Sequence, residues 1–278
     1  MGNNHSSTGV IPSLIKWTGS KRSQALQIAA IAPRHYNKYY EPFIGSGAMM
    51  YLLGRPGSVG GDIYKPLIML WRLIRDDPTY LIFNYKKQWN LLQDDSPDYY
   101  YTVRSRFNQA NKPEDLNFLL RTCVNGIARF NKSGKFNTSF HLSRDGMHPK
   151  NFRAIVKAWT PKIQDIKFVV KDYEETISSA KRTDFIYFDP PYAGNKQRYI
   201  ADLDFDRFCR VLDKLNSKQI KWALSFDGIR GNVNYNISMP KDLYRKKMLI
   251  NSGHSAVSKV LNGSIESVSE ALYLNYKP

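Results

Sequence analysis

Apolar and polar positions along the chain follow two regimes. Near the start, residues 38–42 predict a strand that runs into a glycine-rich turn at 41–47, and residues 48–53 continue as a helix. A second strand is expected over 58–62, ending on an acid, and a second helix over 66–74. Much later, residues 184–188 (Asp-Phe-Ile-Tyr-Phe) form a short apolar run of the kind a parallel sheet buries on both faces. Residues 166–170, 221–226 and 270–276 read as further strands, and 205–215 has helical spacing. Strand, turn, helix and strand in this order are what a doubly wound nucleotide-binding sheet requires. The expected fold is therefore α/β, a Rossmann-like doubly wound mixed sheet.

From about residue 76 to 165 the pattern changes. This stretch is rich in Tyr, Asn, Lys and Arg, and Pro78, Pro97, Pro113, Pro149 and Pro161 interrupt it. Residues 101–165 hold twelve Lys or Arg against four Asp or Glu. An inserted, mainly helical domain is the economical explanation, with residues 1–75 and 166–278 forming one α/β domain around it. A chain of 278 residues is long enough for both.

Charge narrows the class of partner. The 41 Lys and Arg outnumber the 24 Asp and Glu, for a formal charge of +17. Each basic group near a phosphate releases condensed counterions, so a polyanion is expected. An anionic membrane surface could use the same charge, but no long amphipathic basic helix stands out. The longest apolar stretch, around 66–70, is far too short to span a bilayer. Nucleic acid is the expected partner, and no membrane. The only two cysteines, Cys123 and Cys209, have no nearby ligand partners, so no metal site or disulfide is expected and a cytoplasmic location fits. Residues 1–10 are polar, lack a secretory apolar stretch, and read as a loose tail.

The most informative segment is Asp189-Pro190-Pro191-Tyr192, at the carboxyl end of the apolar strand, where α/β sheets bind ligands. The exocyclic amine of adenine is a poor nucleophile because its lone pair is conjugated into the ring. Two acceptors aimed at its hydrogens would draw the nitrogen toward sp3 geometry. The Asp189 carboxylate and the Pro190 carbonyl can be those acceptors, and the two prolines fix their direction without offering a competing N–H. Tyr192 offers a flat face for an extruded base. The bland reading is a strand-ending turn, since Asp-Pro pairs often start turns.

Three companions weigh against it. They are Lys16-Trp17-Thr18-Gly19-Ser20-Lys21, the turn Glu41-Pro42-Phe43-Ile44-Gly45-Ser46-Gly47, and Asp62, 21 residues after Glu41. A glycine-rich turn between strand and helix lets the backbone approach a cofactor. An acid ending the next strand can take both ribose hydroxyls, although such an acid can equally be a helix cap. Trp17 could be a core aromatic and Lys21 a solvated charge.

Together these segments resemble the D12-class (Dam-like, α-type) DNA adenine-N6 methyltransferases, with their K-W-x-G-x-K start, E-P-F-x-G-x-G turn, acid about twenty residues on, and late D-P-P-Y. The resemblance spans nearly the whole chain. It implies a class I methyltransferase fold, S-adenosylmethionine as cofactor, and double-stranded DNA as partner, in a restriction–modification or similar system; whether a cognate restriction endonuclease exists stays open at this level. It implies that Trp17, Lys21, Pro42, Phe43, Gly45, Ser46, Gly47, Asp62 and Ile63 line the cofactor pocket, with Asp172-Tyr173 bordering the adenine ring. Asn125-Gly126-Ile127-Ala128-Arg129-Phe130-Asn131, followed by Gly134-Lys135-Phe136-Asn137 and Phe140, resembles the family's DNA-recognition segment. Asn125, Arg129, Asn131 and Asn137 could then reach base edges, while Lys132 and Lys135 neutralise phosphates. A polar loop in which Asn residues make turns is the plainer reading of that segment.

Two places depart from the pattern. Thr18-Gly19-Ser20 replaces x-Gly-Gly, a mild change. The segment 193–199 does not match the Dam-type continuation, so GATC specificity is not implied; Arg198 and Tyr199 are expected as contacts on a lid over the target base. Residues 224–228 resemble the strand end beside the target-base pocket. Two other functions stay open at this level. Cytosine-N4 methylation poses the same chemical problem, although those enzymes usually begin the tetrapeptide with Ser. A catalytically silent DNA-binding subunit would be expected to have lost the glycines or the tetrapeptide.

Overall fold

The computed structural model describes residues 10–191, 203–230, 233–234, 239–254 and 267–278; Tyr192, Arg198 and Tyr199 lie outside them. The strands are β1 (Tyr39–Glu41), β2 (Val59–Asp62), β3 (Lys167–Val170), β4 (Phe185–Phe188), β5 (Lys221–Arg230), β6 (Val233–Asn234), β7 (Lys246–His254) and β8 (Ser267–Leu274). Seven of them follow the order β3-β2-β1-β4-β5-β8-β7, and β6 pairs with β5 off this path. The first five are joined in parallel, and β8 runs antiparallel between β5 and β7. From β1 the chain steps outward to β2 and β3, then returns to β4 on the other side of β1. That reversal opens a crevice at the carboxyl ends of β1 and β4, the place where such sheets bind ligands.

Side chains alternate across this sheet and both faces are buried. In β4, Phe185 and Tyr187 join one core, while Ile186 and Phe188 join the other. The first core lies under α1 (Ala25–Ala30), α2 (Ala48–Leu53) and α3 (Lys65–Asp76). The second lies under α9 (Phe205–Ser217), with α8 (Tyr173–Thr176) beside it; four further helices intervene between α3 and β3. Mixed parallel and antiparallel pairing with helices on both faces is the architecture expected from the sequence.

The intervening helices are α4 (Pro78–Asp94), α5 (Asp98–Ala110), α6 (Pro113–Thr122) and α7 (Pro149–Ile163). Pro78, Pro113 and Pro149 open three of them. Proline is well placed there, because the first helical N–H has no partner to lose. These prolines thus start helices rather than break them. Trp159 of α7 packs against Trp71 of α3 and Tyr51 of α2, at ring-centroid distances of 5.3 and 4.7 Å. Its Nε1 donates to the Pro12 carbonyl at 2.9 Å. Buried Arg121 of α6 donates to the carbonyls of Ser13 and Leu14. The N-terminal approach to the crevice is therefore gripped by α6 and α7.

Several elements depart from the sequence expectations. The strands β6 and β7 and the helices α1 and α8 were not expected, β5 runs four residues beyond the expected 221–226, and the last strand starts three residues early and ends at Leu274, two residues early. There the Asn275 side chain joins the backbone in pairing, accepting from Trp222 N at 2.8 Å and donating to the Ile220 carbonyl, while Asn275 N donates to the Trp222 carbonyl at 3.3 Å.

Candidate active site

The crevice is walled by the three motifs that the sequence singled out. The turn after β1 holds Gly45 at φ +44° and Gly47 at φ +67°, in the left-handed region. A β-carbon on Gly47 would stand 2.7 Å from the Trp71 ring, and one on Gly45 would stand 3.0 Å from Trp17 Cδ1. Trp71 Nε1 also donates to the Gly45 carbonyl at 3.2 Å. Ser20 and Ser46 share a hydroxyl–hydroxyl hydrogen bond of 2.8 Å, which ties the Trp17–Lys21 loop to this turn. Gly47 stands behind the wall, where it admits Trp71. Gly47→Ala is expected to destabilise the protein by at least about 1–2 kcal/mol from the backbone alone, with Trp71 displaced as well. Urea unfolding measures this, and an unchanged midpoint would show that the turn relaxes without strain.

At the end of β2, Asp62 accepts from Tyr64 N at 2.8 Å. Helix α3 begins only at Lys65 with Tyr64 as its cap residue, so Asp62 is not that helix's cap. Burial raises its pKa to about 6, against the pull of the amides of Tyr64, Gly45 and Ile63. Ile63 sits exposed at the rim. On the opposite wall, Phe43 stacks on Tyr173 with ring centroids 5.5 Å apart. Asp172 caps α8 through Glu174 N, and both its oxygens accept from Arg207, at 2.9 and 3.2 Å.

Two polar atoms in this pocket bear on what it can hold. Thr18 Oγ1 and Tyr173 Oη are buried and have no hydrogen-bond partner among the described residues. Buried hydroxyls are nearly always paired, so these two suit a ligand that brings its own donors and acceptors. An aromatic wall, a carboxylate at a strand end and unpartnered hydroxyls fit a nucleoside with a polar extension.

Asp189 follows β4 and lines the same pocket. Its Oδ1 lies 2.8 Å from Lys21 Nζ, and Lys21 Nζ lies 2.7 Å from Glu270 Oε1 of β8. Burial, aided by Glu270, holds Asp189 above the usual carboxylate range against the pull of Lys21. Burial pulls the Lys21 pKa down, but the Asp189 and Glu270 carboxylates outweigh it and hold the ammonium well above the usual lysine range. Next to them, the Tyr187 and Ser225 hydroxyls share a 2.6 Å hydrogen bond. Pro190 is buried and Pro191 is at the pocket wall.

The segment 123–140 forms an irregular hairpin closed by the bridges Cys123–Phe140 and Phe130–Phe136. Asn125, Arg129, Asn131, Lys132, Lys135 and Asn137 are all exposed on it. Asn131 is committed to the turn, because its Oδ1 accepts from Ser133 N and Lys135 N at 2.9 and 3.0 Å. Phe130 turns inward to line the pocket and meets Tyr64 edge-on at 5.2 Å. Glu270, Arg207 and Phe130 were not singled out from sequence. Glu270 carried a signal all the same, as a lone acid inside the apolar strand Ser-Glu-Ala-Leu-Tyr-Leu.

Among the described residues no cluster of His, Cys, Asp and Glu is placed to hold a metal ion, and no helix is long and apolar enough to cross a membrane. Residues 17–255 match the family model of the D12 class N6 adenine-specific DNA methyltransferases. A type II methyltransferase of Lactococcus lactis subsp. cremoris is 31% identical over 191 residues, covering 64% of each chain. The DNA adenine methylase of Haemophilus influenzae is 28% identical over 187 residues, 66% of this chain and 64% of that one. A type II methyltransferase of Methanocaldococcus jannaschii is 27% identical over 237 residues, 73% of this chain and 81% of that one. The match to the first two thus spans just under two thirds of their length. The chain belongs to the D12 class N6 adenine-specific DNA methyltransferases.

Proposed function

We propose that this chain transfers a methyl group from S-adenosylmethionine to N6 of an adenine flipped out of duplex DNA at a specific site. The observation that carries this reading is the meeting of the glycine turn, Asp62, Asp189 and Pro191 around one pocket at the reversal of the sheet. Asp62 would hold the ribose hydroxyls, Phe43 and Tyr173 the adenine ring, and Thr18 a polar atom of the amino-acid end. The cofactor supplies a methyl group already activated on a sulfonium. Asp189 and the Pro190 carbonyl accept the two amine hydrogens, which frees the nitrogen lone pair, and Asp189 can take the proton that the methylated amine sheds. Such catalysis rests on positioning and preorganised acceptors. The amine cannot meet Asp189 while paired, so the base must leave the stack, at about a few kcal/mol; Tyr192 would be its stacking platform, and Arg198 and Tyr199 further contacts.

Residues 76–165 would be the target-recognition domain, and 1–75 with 166–278 the catalytic one. The two free cysteines fit a reducing cytoplasm, and the type II relatives favour pairing with a cognate restriction endonuclease. Lys132→Ala or Lys135→Ala is expected to weaken DNA binding about equally on all sequences and to reduce the salt slope by about one. Arg129→Ala should instead lose about 1–3 kcal/mol of discrimination at one base pair. Equal loss on every sequence would make Arg129 a phosphate clamp. The reading itself is tested by incubating the protein with methyl-labelled S-adenosylmethionine and, separately, duplex DNA, RNA and protein. Label is expected in DNA alone, and label in RNA or protein, or in nothing, would refute it.

A further inference from the structure

Lys21, Asp189 and Glu270 come from three distant parts of the chain and meet at one ammonium. Lys21 and Glu270 are both buried, Lys21 Nζ is within 2.8 Å of both carboxylates, and Asp189 keeps an edge on the pocket. Glu270 occupies a position that the rest of β8 fills with apolar groups. Leu272 and Leu274 face the first core, as does Tyr187, while Ala271 and Tyr273 face the second. Opposite it the sheet is irregular: β8 pairs Leu272 with Ser225 and Glu270 with Gly228, so two residues of β5 stand against Ala271 alone. Such a bulge re-aims side chains locally and is common beside active sites.

A buried carboxylate in this place needs a reason, since leucine would be stable there without a partner. If Lys21 only had to anchor Asp189, one carboxylate would satisfy the charge. That arrangement would also spend the negative charge of Asp189 on the ammonium and leave a poor acceptor for an amine hydrogen. With two carboxylates on one ammonium, the cluster keeps a net negative charge at the edge that faces the pocket. Resting on the adenine-N6 reading above, we infer that Glu270 is a positioning residue that shares the Lys21 ammonium, so that Asp189 is held in place yet stays a strong hydrogen acceptor.

The other groups around Asp189 are consistent with this division. Tyr187 on β4 is pushed far up by burial and stays a neutral hydroxyl bonded to Ser225 of β5. Glu41 at the end of β1 is pushed well up by burial, with the Tyr39 hydroxyl donating to it. Among the described residues, then, Lys21 on the N-terminal loop is the cation beside Asp189, and Glu270 on β8 is the second carboxylate on that cation. Opposite charge near a carboxylate lowers its proton affinity and like charge raises it. Glu270→Gln should therefore lower the proton affinity of Asp189, and Lys21→Met should raise it.

The test is the titration of the Asp189 carboxyl carbon by 13C NMR, assigned by its disappearance in Asp189→Asn, together with the pH dependence of single-turnover methyl transfer. Glu270→Gln is expected to lower the Asp189 midpoint by about one unit, move the acid limb of the rate the same way, and slow transfer about tenfold. S-adenosylmethionine affinity should stay within about twofold. Lys21→Met is expected to move the midpoint upward. If Glu270→Gln fails to fold, Glu270→Asp, which withdraws the carboxylate from Lys21 by one methylene, should lower the midpoint by less. An unmoved midpoint in whichever variant folds, with only a lower melting temperature, would overturn the inference and leave Glu270 a brace. Because the titration needs no turnover, it decides the role of Glu270 even if the wild-type protein methylates nothing, a result that would instead refute the reading on which the inference rests.

Discussion

Asp189→Ala is expected to slow methyl transfer by about 10²–10³-fold or more, the range for removing one preorganised electrostatic partner of a transition state, while S-adenosylmethionine binds within a few-fold of wild type. The loss has two parts. The amine loses the acceptor that draws its hydrogens out of the ring plane. It also meets Lys21, whose ammonium lies 2.8 Å from Asp189 and would now face the pocket with one of its two carboxylate partners gone. A positive charge near a nitrogen that must become more electron-rich opposes the reaction, so the alanine variant should be slower than Asp189→Asn. The wild-type rate should fall on the acid side through a pKa above the ordinary carboxylate range, since burial favours the protonated, non-accepting form of Asp189. Rapid-quench single turnovers and calorimetry measure both halves. A loss under tenfold would remove Asp189 from the chemistry.

Asp62→Ala should weaken S-adenosylmethionine by about 1.5–3 kcal/mol, the range for hydrogen bonds to a charged group, or roughly 10- to 150-fold. The carboxylate is held at the end of β2 by Tyr64 N, so the position it offers a ribose diol is fixed before binding. Its raised pKa adds a sign that can be checked. Donors on the ligand favour the carboxylate form, so affinity should be full well above pH 6 and fall as pH drops through about 6. That slope should vanish in Asp62→Ala. Calorimetry between pH 5 and 8 that shows equal affinity and equal slope in both proteins would return Asp62 to a purely structural role beside the glycine turn.

What was legible in the sequence was local. The strand 184–188 announced itself because burial on both faces leaves an unbroken apolar run, and the tetrapeptide after it marked the crevice. The glycine turn and Asp62 were legible for the same reason, since each stands at a strand end with a fixed spacing to the next element. The strand β7 was not, because as the sheet's outer strand it alternates weakly: Ile250 is buried while Leu249 is 59% exposed. Helix α1 spans only Ala25–Ala30, too short to show a periodicity.

The site was legible where one segment carries it and opaque where the fold assembles it. Lys21 was expected in the cofactor pocket from its motif. It lines the pocket at the carboxyl ends of β1 and β4, where its ammonium also meets Asp189 and Glu270, and nothing local signals a partner 249 residues away. Phe130 shows the same limit. It lies between Arg129 and Asn131, both exposed on the basic hairpin, and only the tertiary fold turns its ring against Tyr64 in the pocket. Asn131 is the opposite case, a residue expected at base edges whose side-chain oxygen is consumed by its own turn.

The most direct measurement is the identity of the methylated nucleoside. Duplex DNA carrying all sequence contexts would be incubated with the protein and isotopically labelled S-adenosylmethionine, digested to nucleosides, and analysed by mass spectrometry beside Asp189→Ala. Labelled N6-methyldeoxyadenosine is predicted as the product of the wild-type protein, confined to one sequence context and nearly absent from the variant. Labelled N4-methyldeoxycytidine, or an equal yield from Asp189→Ala, would contradict it.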